Sequence, residues 1–261
     1  MSTHDIQQKT SSLTVNNKQN TGLPKVFMAT YVWTVTPLLT IFFGSLTVLM
    51  APFAMLVDKR RNLLHSIATL WAKSIVWANP WWTFIIKGSE NLPPADLPVV
   101  YVANHQSQAD ILTVFLINRQ FRWLAKAILF KIPFLGWAMS AAGYVAVKRG
   151  DRRSHVECFR QARQHLERGT SMLFFPEGTR SHDGRLLPFK SGAYKLAKEC
   201  GVPILPITLE GASNLLPKGS FAPAVATVTI TIHPMISSEG RSEIELSELS
   251  KSVIGSALRR S

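Results

Sequence analysis

Pro98-Val99-Val100-Tyr101-Val102-Ala103-Asn104-His105-Gln106-Ser107-Gln108-Ala109-Asp110-Ile111-Leu112-Thr113-Val114-Phe115-Leu116 decides the fold. Its first six residues are short, apolar and largely β-branched, which predicts a strand. From Asp110 the chain reads as a helix with an acid in its first turn. The polar residues between make the turn. The same alternation continues on both sides. Further strands are predicted at 83–87, 144–147, 172–175, 204–208 and 225–233, and helices over 151–168, 191–199 and 243–259. In the 151–168 helix, Ser154-His155-Val156-Glu157 has the form of a capping box. Gly201 and Pro203 stop the helix before the 204–208 strand. Strands alternating with helices predict an α/β fold: a mixed, largely parallel sheet flanked by helices.

His105 and Asp110 cannot meet on one continuous helix, where five residues would rotate them about 140° apart. They meet if His105 lies in the turn after the strand and Asp110 in the first turn of the helix. The pattern puts them there, at the carboxyl end of a strand, where open α/β sheets hold ligands. Asp110 then accepts from one ring nitrogen, fixes the tautomer and supports an imidazolium. The other nitrogen is left to take a proton. The plain alternative is His105 as a helix cap. No enzyme nucleophile stands out. There is no Gly-x-Ser-x-Gly elbow, nothing marks Ser107 as activated, and Cys158 sits mid-helix beside Phe159. The base therefore acts on an outside hydroxyl.

Phe175-Pro176-Glu177-Gly178-Thr179-Arg180-Ser181 follows another predicted strand. Gly178 permits a tight turn whose N–H groups can face oxygens, and Arg180 offers a bidentate fork for phosphate. Glu177 cannot bind phosphate itself and is expected to orient Arg180 or to accept from a substrate hydroxyl. Lys126 and Arg149 are expected to join this anion site. The bulk charge agrees: 29 Lys and Arg against 16 Asp and Glu leave +13. That excess calls for nucleic acid, an anionic membrane surface or a phosphorylated substrate. A solubilising basic surface is the plain alternative. The absence of zinc-finger spacing and of an aromatic RNA-binding signature argues against nucleic acid. Cys158 and Cys200 are far apart without CxxC spacing, so they read as free thiols in a reducing compartment. The seven histidines lack ligand spacing, so no metal is expected.

From residue 26 to residue 57 no side chain is charged. That stretch exceeds the roughly 20 residues that span a bilayer and reads as a retained membrane anchor. Pro37 and Pro52 inside it predict a kinked or re-entrant helix. Lys59-Arg60-Arg61 follow at once, which predicts a catalytic portion on the cytoplasmic side, at the inner membrane if the source is bacterial. A second apolar helix is expected over 62–78. Trp71, Trp77, Trp81 and Trp82 form either an interfacial aromatic cluster or plain core. Residues 1–24 read as a disordered polar tail, 25–82 as a membrane-associated helical segment, and 83–261 as the α/β domain.

These motifs resemble those of the glycerolipid acyltransferase family, and within it the 1-acyl-sn-glycerol-3-phosphate acyltransferases. Asn104 to Asp110 matches the family's Asn-His-x4-Asp. Gly143 to Arg149 matches Gly-x-x-Phe-x-x-Arg, except that Ala146 replaces the aromatic. Phe175 to Ser181 is a complete Phe-Pro-Glu-Gly-Thr-Arg-Ser, and Val202-Pro203-Ile204-Leu205-Pro206-Ile207 matches the family's apolar block. Lys126 with Pro133 and Gly136, and Phe189-Lys190-Ser191-Gly192, also resemble family positions. The likeness runs from about Leu63 to Gly211 and marks 83–261 as an acyltransferase domain. It implies that His105, oriented by Asp110, deprotonates the 2-hydroxyl of a lysophospholipid acceptor. The hydroxyl oxygen then attacks an acyl thioester of coenzyme A or of acyl-carrier protein. It also implies that Arg149, Glu177, Gly178, Thr179 and Arg180, with Lys126, form the block that binds the glycerol 3-phosphate oxygens of the acceptor. No cofactor is implied, and the partners are the two substrates and membrane lipids. Ala146 leaves other lysolipid acceptors and glycerol 3-phosphate open. A thioesterase using the same dyad on water is the alternative of another class.

Overall fold

The computed structural model describes residues 25–181, 184–215 and 223–258. The tail expected over 1–24 lies outside the described residues, as does Arg259 at the end of the last expected helix. The strands are β1 (Trp82–Lys87), β2 (Val100–Ala103), β3 (Phe121–Lys126), β4 (Val145–Val147), β5 (Ser171–Phe174), β6 (Ile204–Glu210) and β7 (Ala226–Ile232). They form a seven-stranded sheet in the order β1-β7-β6-β2-β5-β3-β4. From β6 through β4 every pair is parallel. β7 runs antiparallel to β6, and β1 pairs parallel with β7. The mixed, largely parallel sheet is as expected.

Strand β2 shows how the sheet is covered. Val99, Tyr101 and Ala103 enter one core and Val100 and Val102 another, as the two-residue period of a strand requires. The first core is shared with α1 (Lys25–Val57), α2 (Asn62–Trp77), α3 (Asp110–Phe115) and α4 (Leu135–Ala141). The second is shared with α5 (Arg152–Glu167), α6 (Gly192–Cys200) and α7 (Glu243–Ser256).

The long apolar helix α1 is continuous through Pro37 and Pro52. It is long and apolar enough to cross a membrane. It is also docked lengthwise on α2 and α4, burying Met28, Gly44, Thr47, Ala51 and Ala54. From Gly44 onward the inner face is made of small residues. A Cβ added at Gly44 would stand 2.9 Å from the Phe134 carbonyl oxygen, so only glycine allows this approach. Its outer face exposes Leu38, Phe42, Leu49, Phe53 and Leu56. The tryptophans divide. Trp81 and Trp82 are core, Trp71 donates to the Thr40 hydroxyl at 3.1 Å, and Trp77 is 85% exposed.

One local expectation is corrected, and two elements were not expected. The cap of α5 is not Ser154 but Asp151, whose carboxylate accepts from the Ser154 N–H at 3.1 Å. The Ser154 hydroxyl instead accepts from the Lys148 N–H, and Glu157 pairs with Arg160. Strand β3 was not anticipated, because fully buried Arg122 interrupts its apolar pattern. Nor was α4, which is short and carries Gly136.

Candidate active site

The parallel strands β2, β3, β4 and β5 all deliver their carboxyl ends to one edge of the sheet. Asn104, just past β2, is wholly buried. Its side-chain amide donates to the Leu209 carbonyl at 2.9 Å and accepts from the Leu209 N–H at 2.7 Å. The side chain thus supplies a rung between β2 and β6 where the β2 backbone turns away. That rung fixes the departure point of the next residue, His105.

His105 is held by both its backbone groups. Its N–H donates to Glu177 Oε1 at 2.7 Å, and its carbonyl accepts from the Ser181 N–H at 2.8 Å. The two sequence motifs, far apart in the chain, are therefore stitched together at this residue. The ring stacks on Phe175, with centroids 4.4 Å apart and planes 24° from parallel. Nδ1 lies 2.7 Å from Asp110 Oδ2. The same oxygen accepts from the N–H groups of Gln106 at 2.7 Å and Ser107 at 2.8 Å. Asp110 is fully buried, whereas the His105 side chain keeps 23% exposure. An acceptor-only carboxylate opposite Nδ1 selects the tautomer with its proton on Nδ1. Nε2 then presents a lone pair to the open side.

Glu177 does not meet Arg180 among the described residues: it is buried, and both oxygens accept backbone N–H groups, Oε1 from His105 and Oε2 from Leu187 at 2.9 Å. Burial raises its pKa, opposed by those two bonds. Its place is in the frame that positions His105.

Gly178 adopts φ +66° and closes a turn through its N–H to the Phe175 carbonyl at 3.0 Å. Arg149, past the end of β4, donates to the Gly178 carbonyl. Lys126, the last residue of β3, pairs in register with Val147 and so reaches the same edge as Arg149. Thr179 is exposed and Arg180 is partly exposed on this loop. Among the described residues the Arg180 guanidinium pairs with no carboxylate. A cation was missed: the Lys190 ammonium sits over Gly178, only 2.7 Å from where a Cβ there would stand. In the sequence it stood only within Phe189-Lys190-Ser191-Gly192, a stretch that resembles family positions, with no role attached to it. Phe175 was read only as part of a motif, and nothing in sequence announced the ring stack.

Neither side chain that offers a nucleophile is set up as one. The Ser107 hydroxyl accepts from the Ala109 N–H at 3.2 Å. The Cys158 thiol is buried in α5 against the Ala146 carbonyl, and burial pushes its pKa up. Beside α3 an apolar cavity of about 130 Å³ runs between α1, α4 and the sheet, walled by Phe43, Ile111, Phe115, Leu135, Met139 and Tyr144. Ile111, one of its walls, directly follows Asp110 in the chain.

Comparison with known proteins adds the following. Residues 83–210 match the acyltransferase family model. The chain is 47% identical over 170 residues to the chloroplastic 1-acyl-sn-glycerol-3-phosphate acyltransferase BAT2 of Brassica napus, covering 65% of this chain and 49% of that one. A 1-acyl-sn-glycerol-3-phosphate acyltransferase of Chlamydomonas reinhardtii is 37% identical over 256 residues, covering 95% of this chain and 76% of that one. The crystal structure of the 1-acyl-sn-glycerophosphate acyltransferase PlsC from Thermotoga maritima superposes with a TM-score of 0.74 at 29% identity, covering 91% and 98% of the two chains. The matched part spans about half the length of the plant relatives.

Proposed function

The chain belongs to the 1-acyl-sn-glycerol-3-phosphate acyltransferase family, and from that premise we propose that it acylates the 2-hydroxyl of 1-acyl-sn-glycerol 3-phosphate to give phosphatidic acid. The observation that carries the reading is the 2.7 Å bond between His105 and fully buried Asp110, set beside a cationic loop. Nε2 takes the proton of the acceptor hydroxyl as its oxygen attacks the thioester carbonyl carbon. The carbon–oxygen bond forms and the carbonyl electrons move to its oxygen. When they return, the carbon–sulfur bond breaks, and the leaving thiolate recovers the proton from the imidazolium. Asp110 supports the transient positive charge. The tied hydroxyl of Ser107 and the buried thiol of Cys158 favour direct transfer over an acyl-enzyme.

Arg180, Arg149, Lys126 and the Gly178–Thr179 turn hold the acceptor's phosphate in this reading, with Lys190 beside them. The apolar cavity next to α3 receives an acyl chain. The outer face of α1 enters the bilayer, with the domain on its cytoplasmic side, where the Lys59-Arg60-Arg61 excess belongs. Ala146, in place of the family's aromatic, supports a second reading in which another lysolipid or glycerol 3-phosphate is the acceptor.

The test is thiol release from an acyl-CoA, or from acylated carrier protein, by detergent-solubilised protein with and without lysophosphatidic acid, identifying the lipid formed. Release that requires the acceptor and yields phosphatidic acid is expected, and it should vanish in His105→Ala. Release without acceptor would make the protein a thioesterase. Acylation only of another acceptor would favour the second reading.

A further inference from the structure

At the opposite end of the sheet from His105, four cations converge where the apolar helix stops. Past Val57 the chain turns into α2, and Asp58 closes that turn by accepting from the N–H groups of Arg60 at 3.2 Å and Leu63 at 2.8 Å. Arg61, at φ +57°, reaches across to the carbonyls of Ser140 and Ala141 at the end of α4. The Arg60 guanidinium lies on Gly169, and its carbonyl accepts from buried Arg122. Arg168 arrives from the end of α5. Two hollows, about 840 Å³ and 210 Å³, adjoin here and share Lys59, Arg60, Arg61 and Arg168 as walls. The nearby acids are Asp58, engaged in its turn, and Glu167. Among the described residues neither Lys59 nor Arg168 forms an ion pair. His165, in the smaller hollow, reports the local field. Burial first, then Arg122 and the cations of Arg61 and Arg168, hold its pKa down to about 4.

This place is separate from the reaction site. Strand β5 starts just after Thr170, a wall of the smaller hollow, and ends just before Phe175, whose ring stacks on that of His105. Its four residues set the two apart by at least about 13 Å. The larger hollow also has an apolar border. Met55 is one of its walls, and Phe53, Leu56 and Val57 are exposed on the last turns of α1. An apolar ridge running into a cationic hollow is complementary to an amphipath with an anionic head.

We propose that this hollow is a second lipid site, which takes the phosphate of an anionic glycerophospholipid whose chains lie along the outer face of α1. It would seat the protein on anionic membrane whatever the acceptor, and it does not rest on the transferase reading.

The full chain would be titrated with vesicles of phosphatidylcholine, with and without phosphatidylglycerol. The sn-2 position of the phosphatidylglycerol backbone is already acylated, so the lipid is not a lysophospholipid acceptor. The wild type should prefer the anionic vesicles. Lys59→Gln with Arg168→Gln should lose that preference by roughly 30-fold, about fivefold for each cation removed near the surface. The double variant should bind pure phosphatidylcholine normally and keep its turnover in detergent. Lys59→Arg with Arg168→Lys should restore the preference, and Arg180→Ala, altered only at the reaction site, should retain it. An unchanged preference in the double Gln variant overturns the proposal. Inorganic phosphate provides the other arm. If it stabilises the wild type in detergent while phosphatidylglycerol earns no preference, the hollow is a free-anion site and the lipid assignment fails.

Discussion

Asp110 presents one oxygen to three donors and leaves the other, Oδ1, buried without a partner among the described residues. That asymmetry makes Asp110→Asn an informative variant. Two of the three donors are fixed backbone N–H groups, so the asparagine must turn its carbonyl oxygen toward them and its NH2 into the orphan position. The ring keeps its place and tautomer, and only the negative charge is lost. We expect kcat to fall on the order of 10²-fold, less than in His105→Ala, with KM for the acceptor nearly unchanged. Steady-state kinetics on both variants checks this, and equal losses would mean that the tautomer had also been lost. Glu177→Gln tests the frame. One of the N–H groups of His105 and Leu187 would then face an NH2, at a cost of about 1–3 kcal/mol for the unsatisfied buried donor. Because the strain falls on His105, kcat should drop while KM for the acceptor stays within about a factor of two. A pure KM effect would return Glu177 to the substrate-binding role read from sequence. The dyad was legible because both partners lie on one short strand–turn–helix. The Glu177 contacts were not, since they join its side chain to backbone groups, that of His105 being 72 residues away.

At the scale of elements, what could be read followed period and punctuation. β2, β5, β6 and β7 show apolar or alternating runs, and α6 ends at Gly201 with φ +64°, as a glycine stop requires. β3 escaped because burial of Arg122 is settled by its hydrogen bonds, to the neighbouring Phe121 carbonyl and to the distant Arg60 carbonyl, rather than by residue type. That β7 runs antiparallel to β6 also left no local mark. α4 was hidden by Gly136, whose role is spatial: a Cβ there would stand 2.2 Å from the Phe130 carbonyl oxygen. That neighbour is backbone in a tight turn and has little room to yield. Gly136→Ala should therefore destabilise by about 1–3 kcal/mol through overpacking, although alanine is the better helix former. The thermal midpoint in detergent should fall by several degrees. A rise would show that the turn before α4 is loose enough to give way.

For the molecule as a whole, three buried or half-buried imidazoles couple its stability to pH. His65, in α2, accepts from the Tyr144 hydroxyl at 3.0 Å and donates to the Arg119 carbonyl at 3.1 Å, so it is held neutral. Burial, then Arg122, lowers its pKa well below 6.5. His165 is lowered to about 4, and burial also lowers His233, whose Nε2 lies 2.8 Å from the Thr208 hydroxyl. In the unfolded chain each takes a proton near its ordinary pKa of 6.5, whereas in the folded chain each resists it. The unfolded state therefore binds more protons below that pH. Stability contributed by these groups is whole above about pH 6.5 and is lost as the pH falls toward 4, by up to about 1.4 kcal/mol per pH unit for each. Glu177 acts in the opposite sense, since a raised carboxyl pKa favours the folded state on acidification. One carboxyl does not offset three imidazoles. Unfolding midpoints measured between pH 7 and pH 4 should decline, and His165→Gln should flatten the decline by about one proton's share. A wild-type curve that is level over that range would mean that these rings protonate without unfolding. The α1–α2 layer, which houses His65, would then be less firmly joined to the sheet than their common core implies.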